Sequence, residues 1–159
     1  MNQERIQQPV AEYVVGYCFR EGFDRVALIE KLKPAWQAGK LNGIGGKVEP
    51  GESIAEAMAR EFEEEAGVRI DEWLHIRTEQ FGVEQEAQRA QPVGARVHHF
   101  ACCIPAAAFA RISTMEKERV RKVTYPIPTP YPPIIYNIPY LVLMAATLLQ
   151  QPPENRPLP

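Results

Sequence analysis

Cysteine is scarce: Cys18, Cys102 and Cys103 are an odd number, and on a strand the adjacent pair would point to opposite faces. A disulfide framework or zinc site therefore does not organise this chain, and a reducing cytoplasm is the default compartment. Long hydrophobic runs are missing too. The longest, Ile138 to Leu149, is broken by Pro139 and is too short to cross a bilayer. The leader Met1 to Pro9 is polar and contains no apolar signal core. Neither charge sign dominates, with a formal net charge of -2. Lys and Arg are dispersed, so the basic footprint of a duplex nucleic-acid binder is lacking, and there is no internal repeat. What remains is ordinary: 159 residues, 45% of them hydrophobic, enough for one compact domain over 1–150. Residues 151–159 read as a proline-rich tail without structure.

The run Glu12 to Phe19 (EYVVGYCF) is rich in β-branched and aromatic residues and predicts a strand. Turn chemistry follows at Glu21 to Asp24, and Arg25 to Glu30 returns as a hairpin partner. Lys31 to Lys40 predicts a loop punctuated by Pro34 and Gly39. Ser53 and Glu56 form a capping box ahead of a helix through Ala66, with Gly67 as its stop. Further strands are expected over Trp73 to Val83, Arg96 to Ile104 and Glu118 to Tyr125, with the polar segment Glu84 to Gly94 between the first two. Five of the eight residues from Pro126 to Pro133 are proline, which implies a rigid extended connection. A last helix is expected over Pro139 to Leu149.

The chemistry concentrates between Asn42 and Val68, NGIGGKVEPGESIAEAMAREFEEEAGV. Gly43, Gly45 and Gly46 bring bare backbone together, able to approach a phosphate or to offer a carbonyl. On the helix, Glu61, Glu64 and Glu65 follow i, i+3, i+4 spacing and share a face. Ile54, Ala55, Met58 and Phe62 make its apolar stripe, with Glu65 inside the edge; Glu56, Arg60 and Glu63 lie opposite. As a plain acidic surface helix this is poorly designed. Four glutamates crowd its last two turns, where each opposes the helix dipole by about 0.3–1 kcal/mol at exposed sites. A hard divalent cation, Mg²⁺ or Mn²⁺, reverses that penalty, since it takes carboxylate, carbonyl and water oxygens.

These residues resemble the signature of the Nudix hydrolase family, G-x5-E-x7-R-E-U-x-E-E-x-G-U with U apolar. Gly46, Glu52, Arg60-Glu61-Phe62, Glu64-Glu65 and Gly67-Val68 fill every specified position. The resemblance implies an α/β fold, an α/β/α sandwich around a central mixed sheet, with the signature on a strand-loop-helix unit. It implies metal binding by Glu61, Glu64, Glu65 and the Gly45 carbonyl. Glu52 would support the loop or the metal, and Arg60 would orient the glutamates. Glu61 is one candidate general base. Glutamates outside the signature serve some members, which makes Glu118, and next Glu116, candidates here, although a solvated charged turn would contain the same residues. His98 and His99 read as packed core histidines, one facing inward and one outward.

The run Asn42 to Lys47 resembles MutT-like enzymes acting on oxidised purine nucleoside triphosphates, in which the residue at Asn42 touches the base. Gly46 and Lys47 join it as candidate substrate contacts. Trp36 either stacks on a base or covers the core under its loop. A human enzyme of that branch reads the purine with paired aspartates before the last helix, where this chain has Tyr131-Pro132-Pro133-Ile134-Ile135. Tyr136, Asn137 and Tyr140 are the remaining candidates for a base pocket. The expected reaction is cleavage of a purine nucleoside triphosphate to monophosphate and pyrophosphate. ADP-ribose or a dinucleoside polyphosphate is the alternative substrate, and a catalytically silent nucleotide binder the alternative class. A monomer and a homodimer are equally compatible with this reading.

Overall fold

The computed structural model describes residues 10–82 and 94–156. In chain order the elements are β1 (Ala11–Arg20), β2 (Arg25–Glu30), β3 (Leu41–Asn42), β4 (Ile44–Lys47) and α1 (Ile54–Ala66). There follow β5 (Leu74–Gly82), β6 (Gly94–Ile104), α2 (Ala106–Ala110), β7 (Arg119–Thr124), α3 (Ile138–Gln150) and a 3-10 turn over Pro153–Asn155. The expected strands and both expected helices are present with ends shifted by a residue or two. Val83, the leader Met1 to Pro9 and residues 84–93 of the expected polar segment lie outside the described residues. Three elements were not anticipated: β3, α2 and the 3-10 turn. Each is five residues or shorter, too brief for a hydrophobic period to register.

Among the described residues seven strands form one mixed sheet, ordered β3-β2-β1-β6-β5, with β4 on β1 and β7 on β2. Of the strand pairs among the described residues, β1 and β6 run parallel and the others antiparallel. The central strand β1 divides its second edge. Tyr13 to Gly16 pair with β4, whereas Cys18 and Phe19 pair with β2. The chain from β3 to β4 thus passes from the edge of β2 to the edge of β1 at Gly43, and the sheet parts there.

Alternation along the strands builds two cores. On one face Val14, Cys18, Ala27, Phe100 and Cys102 pack with Met58, Phe62 and Ala66 of α1 and with Phe109 of α2. On the other, Tyr17, Phe19, Val26, Leu28 and Ala101 pack with Ile138, Leu141, Val142 and Ala145 of α3. The result is the α/β/α sandwich that the signature implied. Ala55, expected in the apolar stripe of α1, is exposed, and Ala57 is buried instead. Because α1 packs against β4 as well as β1, its buried arc is turned toward Ala57 and Ala66. Both histidines of β6 are buried, His98 on the α1 face and His99 on the α3 face. The expectation of one outward histidine fails because the sheet is covered on both sides. Beyond α3, the segment read as an unstructured tail makes its 3-10 turn, and Arg156 donates to the carbonyls of Gln151 and Leu149 at 3.1 and 2.8 Å. Residues 157–159 lie outside the described residues.

Candidate active site

Helix α1 starts as its sequence dictates. Ser53 Oγ accepts from the Glu56 amide at 3.2 Å, and the Glu56 carboxylate accepts from the Ser53 amide at 2.7 Å, closing the capping box. It ends at Gly67, with φ of 75°, a left-handed conformation that glycine adopts without a Cβ penalty. The loop after α2 then docks on this end: the Ser113 amide donates to the Ala66 carbonyl and the Met115 amide to the Glu65 carbonyl, both at 3.1 Å. That docking brings Glu116 and Glu118 to the glutamate face of α1, since both charges bear on Glu65.

Arg60 ties the site together. Its guanidinium donates to Glu52 at 2.6 and 3.1 Å, to Glu61 at 2.8 Å, to Glu64 at 3.1 Å and to the Lys47 carbonyl at 3.0 Å. Placed opposite the apolar stripe by the helical wheel, Arg60 stands i, i+4 to Glu64 and reaches across to the other carboxylates, as the resemblance implied. It thereby clamps α1 to β4 and to the loop containing Glu52. Hydrogen bonding to Arg60 holds the Glu52 carboxyl below its ordinary range, and the Glu49 amide adds a bond at 2.7 Å.

Glu61 and Glu65 sit on the inner side of this face. Burial raises the Glu61 carboxyl, with Arg60 opposing the effect. Glu65 is 8% exposed. Its carboxyl is pushed up to about 8, first by burial and then by the Glu61 charge. Its Oε2 atom is buried with no hydrogen-bond partner among the described residues. A buried carboxylate oxygen without a donor is costly, and a cation would satisfy it. The donor set of Glu61, Glu64 and Glu65 is all oxygen, as Mg²⁺ or Mn²⁺ requires. Gly46 provides the room beside it: a Cβ there would lie 2.5 to 2.6 Å from the Glu61 carboxylate atoms. Among the described residues no three acidic, His or Cys side chains form a ready-made metal cage. Arg60 holds Glu61 and Glu64, and an ion that keeps several waters needs few protein ligands.

Beside the glycines lies a cavity of about 520 Å³, bounded by the α3 face of the sheet, the loop after β2 and the start of α3. Trp36, Asn42, Gly45, Gly46, Tyr136 and Asn137 line it, so the structure brings these expected site residues together. Trp36 is 59% exposed and Tyr136 86%, which removes the alternative of Trp36 as a core cover. Two expected substrate contacts are elsewhere. Lys47 is exposed and does not line the cavity, joining the site through its carbonyl bond to Arg60. Tyr140 is exposed and absent from the lining, because Ile138, Leu141 and Val142 form the inward side of α3. Glu118 accepts from Lys31 Nζ at 2.7 Å and from the Leu32 amide at 2.6 Å.

Sequence reasoning missed Lys31, Lys33, Glu79 and His99, all of which line the cavity. For the lysines a signal existed, two cations in the loop just ahead of a glycine-rich turn. None existed for Glu79, which reaches the cavity only through strand register.

The NUDIX domain model matches residues 12–123, and the chain belongs to the Nudix domain family. An oxidized purine nucleoside triphosphate hydrolase from Danio rerio is 48% identical over 44 residues, a match that spans 28% of this chain and 28% of that relative. The NUDIX domain of NrtR from Shewanella oneidensis, solved in complex with ADP ribose, superposes with a TM-score of 0.69 at 12% identity over 92% of each chain. A MutT protein from Methanosarcina mazei superposes with a TM-score of 0.65 at 17% identity, covering 92% of this chain and 99% of that one. Nudix hydrolases generally use divalent metal ions.

Proposed function

We infer that this chain is a Mg²⁺-dependent pyrophosphohydrolase cleaving a purine nucleoside triphosphate, oxidised purines included, to monophosphate and pyrophosphate. The carrying observation is the juxtaposition at β4. Gly46 has Glu61 against it and also lines the cavity that holds Trp36 and Asn42. A base in the cavity therefore has its phosphates directed at the acidic face of α1. The match to the Danio rerio enzyme favours the oxidised purine reading.

Water attack on a polyanion is limited by charge repulsion and positioning. Glu61, Glu64 and Glu65, with the Gly45 carbonyl, would hold the cation, which supplies charge neutralisation and acidifies a bound water. Lys31, which pairs with Glu118 and bears on Glu65, sets a positive charge beside the glutamates, and Lys33 also lines the cavity. Arg60 fixes Glu61 and Glu64 through its hydrogen bonds, so both are positioned before substrate arrives. Glu118, oriented by Lys31 and the Leu32 amide, stands ready to accept a proton, as does Glu61; the pH profiles of Glu118→Gln and Glu61→Gln separate the two.

The test is a panel of normal and oxidised nucleoside triphosphates, ADP-ribose and dinucleoside polyphosphates assayed with Mg²⁺ and compared by kcat/KM. A purine triphosphate should lead, and Glu64→Gln and Glu65→Gln should each lower its turnover by about a hundredfold or more, of the size seen when a transition-state charge partner is removed. Full activity in excess chelator overturns the metal reading. A tenfold lead for ADP-ribose overturns the substrate reading, and absence of any hydrolysis product, nucleoside monophosphate included, from every compound leaves a binding protein.

A further inference from the structure

Across the cavity from the glycines, the sheet presents a connected polar chain that the phosphate chemistry does not use. Tyr17 is wholly buried on β1, and its hydroxyl lies 3.1 Å from His99 Nδ1. His99, 3% exposed, sets its Nε2 3.2 Å from Glu79 Oε2. The two rings are near parallel, 5° apart with centroids at 6.0 Å. Burial lowers the His99 pKa, so the imidazole is neutral and one nitrogen donates while the other accepts. Only one arrangement uses every atom well. The Tyr17 hydroxyl donates to Nδ1, and Nε2–H donates to the Glu79 carboxylate. The reverse tautomer would set a bare ring nitrogen against a carboxylate oxygen. Glu79 is thus oriented from below by a neutral donor, which leaves its second oxygen free of the histidine. That oxygen lies 3.3 Å from Arg77 Nε, on a half-exposed side chain, and retains acceptor capacity on its other lone pair.

Glu79 also lines the cavity, as does Asn42 at the far side. Asn42 Oδ1 accepts from the Gly43 amide at 2.8 Å, which leaves the Asn42 amide NH₂ as a donor toward the cavity. Asn42 ends β3 and Glu79 lies on β5, at opposite ends of the strand order β3-β2-β1-β6-β5. The cavity is polarised accordingly, with Lys31 and Lys33 in its loop wall and Glu79 on the opposite side.

Resting on the purine nucleotide reading, we propose that Glu79 is the base-specificity residue of this chain, selecting a guanine-type edge while Asn42 donates to a ring acceptor. Guanine, oxidised or not, offers N1–H and the exocyclic N2–H₂ side by side, two donors for one carboxylate. Adenine offers N1 as an acceptor, which faces the carboxylate lone pairs and is rejected. An unpaired buried polar group makes such discrimination large. His99 and Tyr17 are positioning residues acting through Glu79. The acidic reader comes from the sheet, which accounts for Ile134 and Ile135 standing where acidic residues were sought.

The experiment compares kcat/KM for dGTP and dATP, and equilibrium binding of GMP and AMP, in the wild type and in Glu79→Gln. The glutamine keeps its bond from His99 and turns an NH₂ toward the base, matching adenine N1. The dGTP-to-dATP ratio should fall at least tenfold, through KM with kcat nearly unchanged, and GMP should lose its advantage over AMP. Tyr17→Phe, which frees His99 to turn, should move the same ratio in the same direction by less. A wild type without guanine preference, or a ratio unmoved in Glu79→Gln, overturns the proposal. Should the wild type split no triphosphate yet lose its GMP preference in Glu79→Gln, the hydrolysis reading fails while Glu79 stands. Should Glu79→Gln not fold, the GMP-to-AMP preference of Glu79→Asp, its carboxylate withdrawn by one methylene, decides in the same way.

Discussion

Glu65 shows how a residue can be wrong for the fold and right for the site. Its position on α1 is a core position, between Phe62 and Ala66, and an apolar residue would be more stable there. With its carboxyl near 8 in the folded chain and an ordinary value of 4.5, the metal-free protein holds a proton that the unfolded chain releases. Between those values the unfolded state therefore binds fewer protons, and stability falls as pH rises. The expected outcome, in excess chelator, is a melting temperature that drops from pH 5 to pH 8 and then levels. In Glu65→Gln that part of the slope disappears, and at pH 8 the variant is the more stable by a few kcal/mol, at about 1.4 kcal/mol per pH unit. Thermal melts at several pH values check it; equal slopes in the two proteins refute the burial of an ionisable group at this position. Excess Mg²⁺ should restore the wild type at pH 8 and stabilise the variant less, because the variant keeps Glu61 and Glu64 but lacks the buried carboxylate.

At the scale of elements, α1 and β4 form one unit, and two adjacent glycines of β4 report different things. A Cβ on Gly45 would lie 1.9 Å from the Val14 carbonyl oxygen, so the β1–β4 backbone must separate. On Gly46 its three nearest neighbours would all be atoms at the end of the Glu61 side chain. Gly45→Ala is therefore expected to lose folded protein, visible as a lowered melting temperature or insoluble expression. Gly46→Ala should fold, with a melting temperature within a few degrees of the parent and kcat reduced at least tenfold through displaced Glu61. Equal loss of stability in both would show that Gly46 is merely structural. This unit was the most legible part of the sequence, because a capping box, a left-handed stop and i, i+3, i+4 glutamates are encoded within a few residues of each other. The strands of the hairpin were legible for the same reason. Arg60 was legible as a signature residue that orients the glutamates but not as the clamp on β4, since its bond to the Lys47 carbonyl joins two elements that no local pattern connects. Glu79, His99 and Tyr17 were illegible as a group. They meet through the parallel β1–β6 register and a bulge in β5 between His75 and Arg77, and no local pattern specifies either.

In the whole molecule the two functional ends of α3 are separated by its length. Its first turn, with Asn137 and Ile138, lines the cavity. Its last turn is held by Arg156, whose guanidinium donates to the Leu149 and Gln151 carbonyls. Helix C-termini leave carbonyls without partners, and a cation there also opposes the negative end of the dipole. Cutting the chain after Gln151 removes that anchor, which sequence composition alone had marked as dispensable. The middle of α3 stays fixed by Leu141, Val142, Ala145 and Ala146, all fully buried against the sheet. Fraying of the last turn should therefore stop before it reaches Asn137. The truncated protein is expected to lose about 1 kcal/mol of stability, the scale of a cap and a dipole contact, with kcat/KM for the best purine triphosphate within twofold of the full chain. Urea denaturation and steady-state assays on the two proteins check both halves. A fall in kcat/KM of tenfold with melting little changed would mean that the C-terminal anchor sets the position of the cavity wall, coupling the two ends of α3 through a rigid-body shift of the helix.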